Sequence, residues 1–138
     1  MREIIRVSVR GAQPVPQGSL SAGRNGHLYY SNAETLKPWR NRITTCVKDV
    51  LPSDYVALDA PVKVTATFYF PPLKSPKPFK TSAPDLDKLL RAVLDALTAS
   101  GIYSDDSRVV WVDSRKKYAN NADGMGVDIV VHEVLDLG

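Results

Sequence analysis

The chain has a single cysteine, Cys46, among its 138 residues, so an intramolecular disulfide framework is excluded. Cys46 falls at helical spacing among apolar residues and reads as a small packed hydrophobe rather than a nucleophile. No apolar run approaches the roughly 18 residues of a spanning helix, and no hydrophobic core marks the N-terminus as a targeting segment, so neither membrane insertion nor export is expected and a cytoplasmic location is. The two histidines, His27 and His132, are isolated and lack ligand spacing, which argues against zinc. A nucleotide cofactor is not expected, because Gly23-Arg24-Asn25-Gly26 lacks the Gly-Lys-Ser/Thr ending of a phosphate-binding loop. A strong charge of one sign is lacking too: the net charge is only +3, and that value alone does not identify a nucleic-acid binder.

What is present is one domain, residues 1–138, long enough to bury its own core. Residues 3–10 alternate as a strand, and residues 11–30 are a Pro/Gly/Ser-rich irregular segment with a turn signal at Asn25-Gly26. Ser31 or Asn32 caps a helix running to about Val50, with Trp39, Ile43, Cys46, Val47 and Val50 as its apolar stripe and Pro52 as its stop. Residues 61–70 alternate as a half-buried strand, and the PPLKSPKPF segment after it is a stiff extended loop. A second helix opens at Asp85, with Leu86, Leu89, Leu90, Val93, Leu94 and Leu97 on its core face. Residues 108–118 and 126–134 read as two strands joined around residues 120–124 as a hairpin. The order βαβαββ predicts an α+β domain with two helices on one face of a mixed sheet. Trp39, Trp111 and Tyr103 are read as core residues rather than stacking platforms.

The chemistry concentrates between Pro84 and Val110. Asp85 and Asp87 stand at the mouth of the second helix, and Asp105 and Asp106 follow its end. Hard divalent cations want several anionic oxygens converging on one point, so two carboxylate pairs in basic surroundings point to metal-assisted phosphodiester chemistry. The rival reading is a capping box from Ser82 to Asp85, with acids in the first turn serving the helix dipole. Residues i and i+2 share a side only in extended chain, so Asp85 and Asp87 can share a cation only if Asp85 precedes regular helix, which Pro84 favours. Arg91 lies one turn beyond Asp87 as its surface neighbour. Lys74, Lys77 and Lys80 make the approach electropositive, and Arg115, Lys116 and Lys117 form a second basic cluster. These six, with Lys88 and Arg24, are the candidate DNA contacts. Lys37, Arg40 and Arg42 are weaker ones.

Asp85-Leu86-Asp87, then Leu94-Asp95-Ala96-Leu97, then Gly101, Tyr103, Asp105, Asp106 and Val109 resemble the hallmark of the RusA-like Holliday junction resolvases. The resemblance implies a RusA-like fold and a homodimeric, Mg2+-dependent endodeoxyribonuclease, with Mn2+ as a substitute, acting on branched DNA such as four-way junctions. It implies Asp85, Asp87 and Asp106 as metal ligands and Arg91 as the fourth catalytic residue. Arg91 stands where that family has a lysine; arginine keeps the charge but does not readily give up a proton, which suits phosphate clamping. A non-catalytic branched-DNA binder and a small RNA-processing nuclease are the alternatives. A helix from Asp87 to Ser100 would set Asp106 about 20 Å from Asp87 in the same chain. With residues 101–107 read as a turn, two antiparallel helices of a dimer are expected to share each site.

Overall fold

Apolar residues at alternate positions build a sheet, and apolar stripes on two helices cover it. In the computed structural model, which describes residues 1–18, 20–22, 26, 28–30 and 32–135, the elements run β1 (Arg2–Arg10), β2 (Leu20–Ala22), β3 (Leu28–Tyr30), α1 (Ala33–Val50), β4 (Val62–Phe70), α2 (Leu86–Ser100), β5 (Val109–Tyr118) and β6 (Gly126–Glu133). Short 3-10 turns at Asp106–Arg108 and Ala122–Gly124 precede the last two strands. The main sheet has the order β1-β6-β4-β5, with β4 and β5 parallel and the other pairs antiparallel. It is a mixed sheet with two helices, the expected α+β architecture. β2 and β3 form a separate antiparallel pair inside the segment read as irregular. Arg24, Asn25, His27 and Ser31 lie outside the described residues.

The expected hairpin between the last two strands does not form, because β4 lies between them. The connection from β5 instead crosses the end of β4, where Ala119 donates its amide to the Phe70 carbonyl at 2.8 Å. Strand β5 reaches its parallel partner through α2, the crossover that a parallel pair requires.

One face of the sheet meets both helices. Ile5, Val7 and Val9 of β1, alternate residues of β4 from Val62 to Phe70, and Val127, Ile129 and Val131 of β6 pack there against Leu36, Trp39, Ile43 and Val47 of α1 and Leu89, Val93 and Leu97 of α2. Two members of the expected α1 stripe fall outside this core: Cys46 is half-buried and Val50 is exposed. Ala92 and Ala96, small and fully buried, let α1 approach α2 closely enough for the Thr44 hydroxyl to donate to the Ala96 carbonyl at 3.1 Å. Trp39 and Tyr103 are core residues as expected. Trp111 is not: it is 45% exposed on the sheet's open face, beneath the Lys63 ammonium. Among the described residues, no helix is long and apolar enough to cross a membrane.

The close pairing of β1 with β6, where Arg10 stands opposite Gly126, leaves no room for a side chain at Gly126. Its φ is 146°, and an added Cβ would lie 1.7 Å from the Val9 carbonyl oxygen. Gly126→Ala is therefore expected to cost about 3 kcal/mol from backbone strain plus collision. Urea denaturation would measure it, and a loss below about 1 kcal/mol would mean that the two strands separate easily there.

Candidate active site

The helix α2 begins one residue after Asp85, which keeps extended geometry (φ −69°, ψ 138°) as the N-cap and makes no side-chain capping bond. Ser82 does not cap either; its hydroxyl accepts from the Lys80 ammonium at 2.9 Å. The capping box is thus absent. Asp85 and Asp87 are both exposed, and among the described residues neither carboxylate takes part in a hydrogen bond or ion pair. Asp85 precedes regular helix, the condition for the two carboxylates to share a side. The Ala83–Pro84 peptide just before them is cis.

The second acidic pair divides its labour. Asp105 caps the 3-10 turn by accepting from the Ser107 amide at 3.1 Å, and these hydrogen bonds hold its carboxyl below the usual range. Asp106 instead takes a guanidinium hydrogen bond from Arg91 of the same chain. The expected 20 Å separation is therefore wrong, because residues 101–106 return along the helix rather than forming a local turn. Gly101, left-handed at φ 79°, ends α2. Ile102 and Tyr103 are then buried. Leu58 donates to the Ile102 carbonyl at 3.0 Å, Ser104 donates to the Leu58 carbonyl at 2.9 Å, and the Tyr103 hydroxyl donates to the Leu94 carbonyl at 2.9 Å. Burial pushes the Tyr103 phenol up to about 12.

Arg91 also pairs with Asp95 at 3.2 Å, and Asp95 reaches Arg40 of α1 at 3.5 Å. Partial burial works against the charge of Arg91, but the Asp106 hydrogen bond and the Asp95 carboxylate outweigh it and raise its pKa. The chain Arg40–Asp95–Arg91–Asp106 ties α1 to the site. The Arg91–Asp95 link is visible in the sequence as a one-turn spacing on α2, whereas Arg40 joins only through helix packing that periodicity does not specify. Arg40, expected as a weaker phosphate contact, is engaged with Asp95 instead.

The basic candidates separate. Lys74, Lys77 and Lys88 are exposed and form no ion pair among the described residues. Lys80 lies over the rings of Phe70 and Tyr118, 5.1 and 5.5 Å from their centroids. Arg115, Lys116 and Lys117 are not one cluster, because strand alternation sends neighbours to opposite faces. Arg115 and Lys117 pair in register with Thr67 and Tyr69 on the open face, and Arg115 contacts Asp113 at 3.1 Å. Lys116, opposite Phe68, lies on the helix face and donates to the carbonyls of Ser82 at 2.8 Å and Pro84 at 2.7 Å. Arg42 donates to the Arg10 carbonyl at 2.5 Å.

An all-oxygen donor set of carboxylates suits a hard cation such as Mg2+. The oxygens of Asp85 and Asp87 are uncommitted among the described residues. Asp106 is bonded to Arg91 and would join them only by exchanging that bond. Among the described residues, no three His, Cys, Asp or Glu side chains are gathered closely enough to hold a metal ion.

Two comparisons bear on the family of the chain. Over 68 residues the chain is 37% identical to the crossover junction endodeoxyribonuclease rusA of Lactococcus phage r1t, a stretch of 47% of this chain and 51% of that protein. The chain thus spans about half the length of the curated relative it matches. The family described as endodeoxyribonuclease RusA matches residues 12–130, which include both acidic pairs, Arg91 and the whole β4-α2-β5 unit. That match takes in most of the domain, and the chain belongs to the RusA family.

Proposed function

We propose that the chain is a divalent-metal-dependent endodeoxyribonuclease that cuts branched DNA, four-way junctions foremost, as a cytoplasmic homodimer making paired nicks. One observation carries this reading: Asp85 and Asp87 offer uncommitted carboxylates at the entry of α2, and one turn further along the same helix Arg91 meets Asp106. Mg2+, or Mn2+ in its place, is assigned to Asp85, Asp87 and Asp106. Such an ion supplies, when bound, Lewis-acid polarisation of a phosphate oxygen and a water of lowered pKa. The chain's own groups position the substrate. Arg91 keeps its proton and offers a planar fork to a phosphate, so its role is clamping rather than proton transfer. Asp95 holds that fork in place from the next turn of α2.

The lysines of the loop after β4 give the approaching strand a basic surface. Replacing Lys74 and Lys77 by glutamine is expected to weaken binding to every DNA shape and to flatten the dependence of log K on log salt by about 0.9 for each phosphate no longer neutralised. Fluorescence anisotropy over a salt series would measure this, and an unchanged slope would place the DNA elsewhere.

The deciding experiment is incubation of the purified protein with a synthetic four-way junction, a linear duplex and a structured RNA, each with Mg2+, with Mn2+ and with chelator. Metal-dependent nicking of the junction supports the enzyme. The second reading, a non-catalytic junction binder, is favoured by the engagement of Asp106 with Arg91. Tight junction binding without a nick in either metal would establish it, and preferential cutting of the RNA would replace DNA as the substrate.

A further inference from the structure

Residues 71–85, between β4 and α2, contain no helix or strand, yet they must hold Asp85 in the extended geometry that keeps its carboxylate clear of a capping role. Proline at position 84 contributes no amide hydrogen, so this backbone depends on its carbonyls for anchorage. Two of those carbonyls, Ser82 and Pro84, flank the turn into Asp85, and both accept from a single donor, the Lys116 ammonium, at 2.8 and 2.7 Å. The same residue accepts through its backbone: the Lys80 amide donates to the Lys116 carbonyl at 3.0 Å. Lys116 therefore grips the last part of the segment, from Lys80 to Pro84, and its side chain is committed to protein rather than turned outward. Its origin on β5, opposite Phe68 of β4, fixes the ammonium relative to the buried sheet. Charge-assisted bonds of this kind are among the stronger ones available to a half-buried lysine.

We propose that Lys116 is a positioning residue, which sets Asp85, and through it the carboxylate pair of Asp85 and Asp87, by clamping the Ser82 and Pro84 carbonyls to β5. The inference deepens the metal-dependent reading above and rests on it for its functional consequence. It separates Lys116 from Arg115 and Lys117, which lie on the other face of the same strand.

Lys116→Met removes the donors while keeping the length of the side chain, and Lys116→Arg keeps a charged donor. The first measurement is hydrogen exchange in metal-free, DNA-free protein. Lys116→Met is expected to speed exchange about tenfold or more at the Lys80 and Leu89 amides, which donate to the Lys116 and Asp85 carbonyls on either side of the clamp, and to leave β1 and β6 at parent rates, with partial recovery in Lys116→Arg. The second is calorimetric titration with Mn2+, where Lys116→Met is expected to bind about tenfold or more weakly than the parent. The third is junction binding in chelator, where affinity and salt slope are expected to stay at parent values. Unchanged exchange at the Lys80 and Leu89 amides would overturn the inference. So would weaker junction binding with a salt slope reduced by about 0.9, the mark of a phosphate contact. If Lys116→Met does not fold, the same comparisons are made on Lys116→Leu, which also lacks a donor. A parent protein that takes up no Mn2+ would overturn the metal reading instead, and the exchange comparison would still decide whether Lys116 holds the loop.

Discussion

Asp87→Asn is expected to lower junction cleavage by at least about 10³-fold while leaving junction binding at or above the parent level. The amide has nearly the shape of the carboxylate, so packing is unchanged, but it removes half of the uncommitted negative charge at the entry of α2. A cation left with one free carboxylate and one engaged by Arg91 has too few anionic oxygens. Binding should survive because the substitution removes a repulsive charge facing DNA phosphate. Folding stability should stay within about 0.5 kcal/mol in chelator. Loss of a first-turn acid from the helix dipole and relief of repulsion from Asp85 are both small and opposed. Cleavage at the parent rate would show that the carboxylates at this helix entry are not the metal site. A loss of several kcal/mol would show a structural role that the exposed, unpaired side chain gives no reason to expect.

The distinction between local and non-local information explains which parts of this structure are legible in the sequence. The strands β1 and β4 and the helix α2 differ from their expected bounds by one residue at their starts, because burial on one face writes a period into adjacent residues. Pro84 also marks the helix boundary, by biasing Ala83 toward extended chain, but the extended geometry of Asp85 itself is only permitted by the sequence, not fixed by it. The pairing of β5 is not foreseeable. Its alternation states that it is a strand but not whether its neighbour is β6 or β4, and the crossing at Ala119 and Phe70 depends on residues far apart in sequence. The same holds for Asp106. Residues 101–106 carry a glycine, a serine and two aspartates and resemble a turn, but Ile102 and Tyr103 are held by Leu58, which lies more than forty residues earlier. That apolar pair between polar neighbours is the available sign that the segment packs inward. Lys116 cannot be told from Arg115 and Lys117 until strand alternation is assigned, since all three appear as one basic run.

The return of residues 101–106 along α2 reverses the expectation for subunit mixing. If each site were shared, an Asp87→Asn chain paired with an Asp106→Asn chain would collect both defects in one site and leave the other whole. The heterodimer would then nick one strand. In the structure Asp106 bonds to Arg91 of its own chain, and Arg91 is one turn from Asp87 on the same helix. With the site proposed above completed by this Asp106, each chain would carry its own Asp85, Asp87, Arg91 and Asp106, and a defect in any of them would disable that chain's site whatever the partner is. Mixing the two variants, with subunit exchange confirmed by differently tagged chains, is expected to give no junction cleavage above that of either variant alone. A mixture of parent with Asp87→Asn provides the control, because its heterodimers retain one intact site and should release singly nicked junctions. Recovery of single nicks in the double-variant mixture would mean that Asp106 leaves its own Arg91 to complete the neighbouring subunit's site.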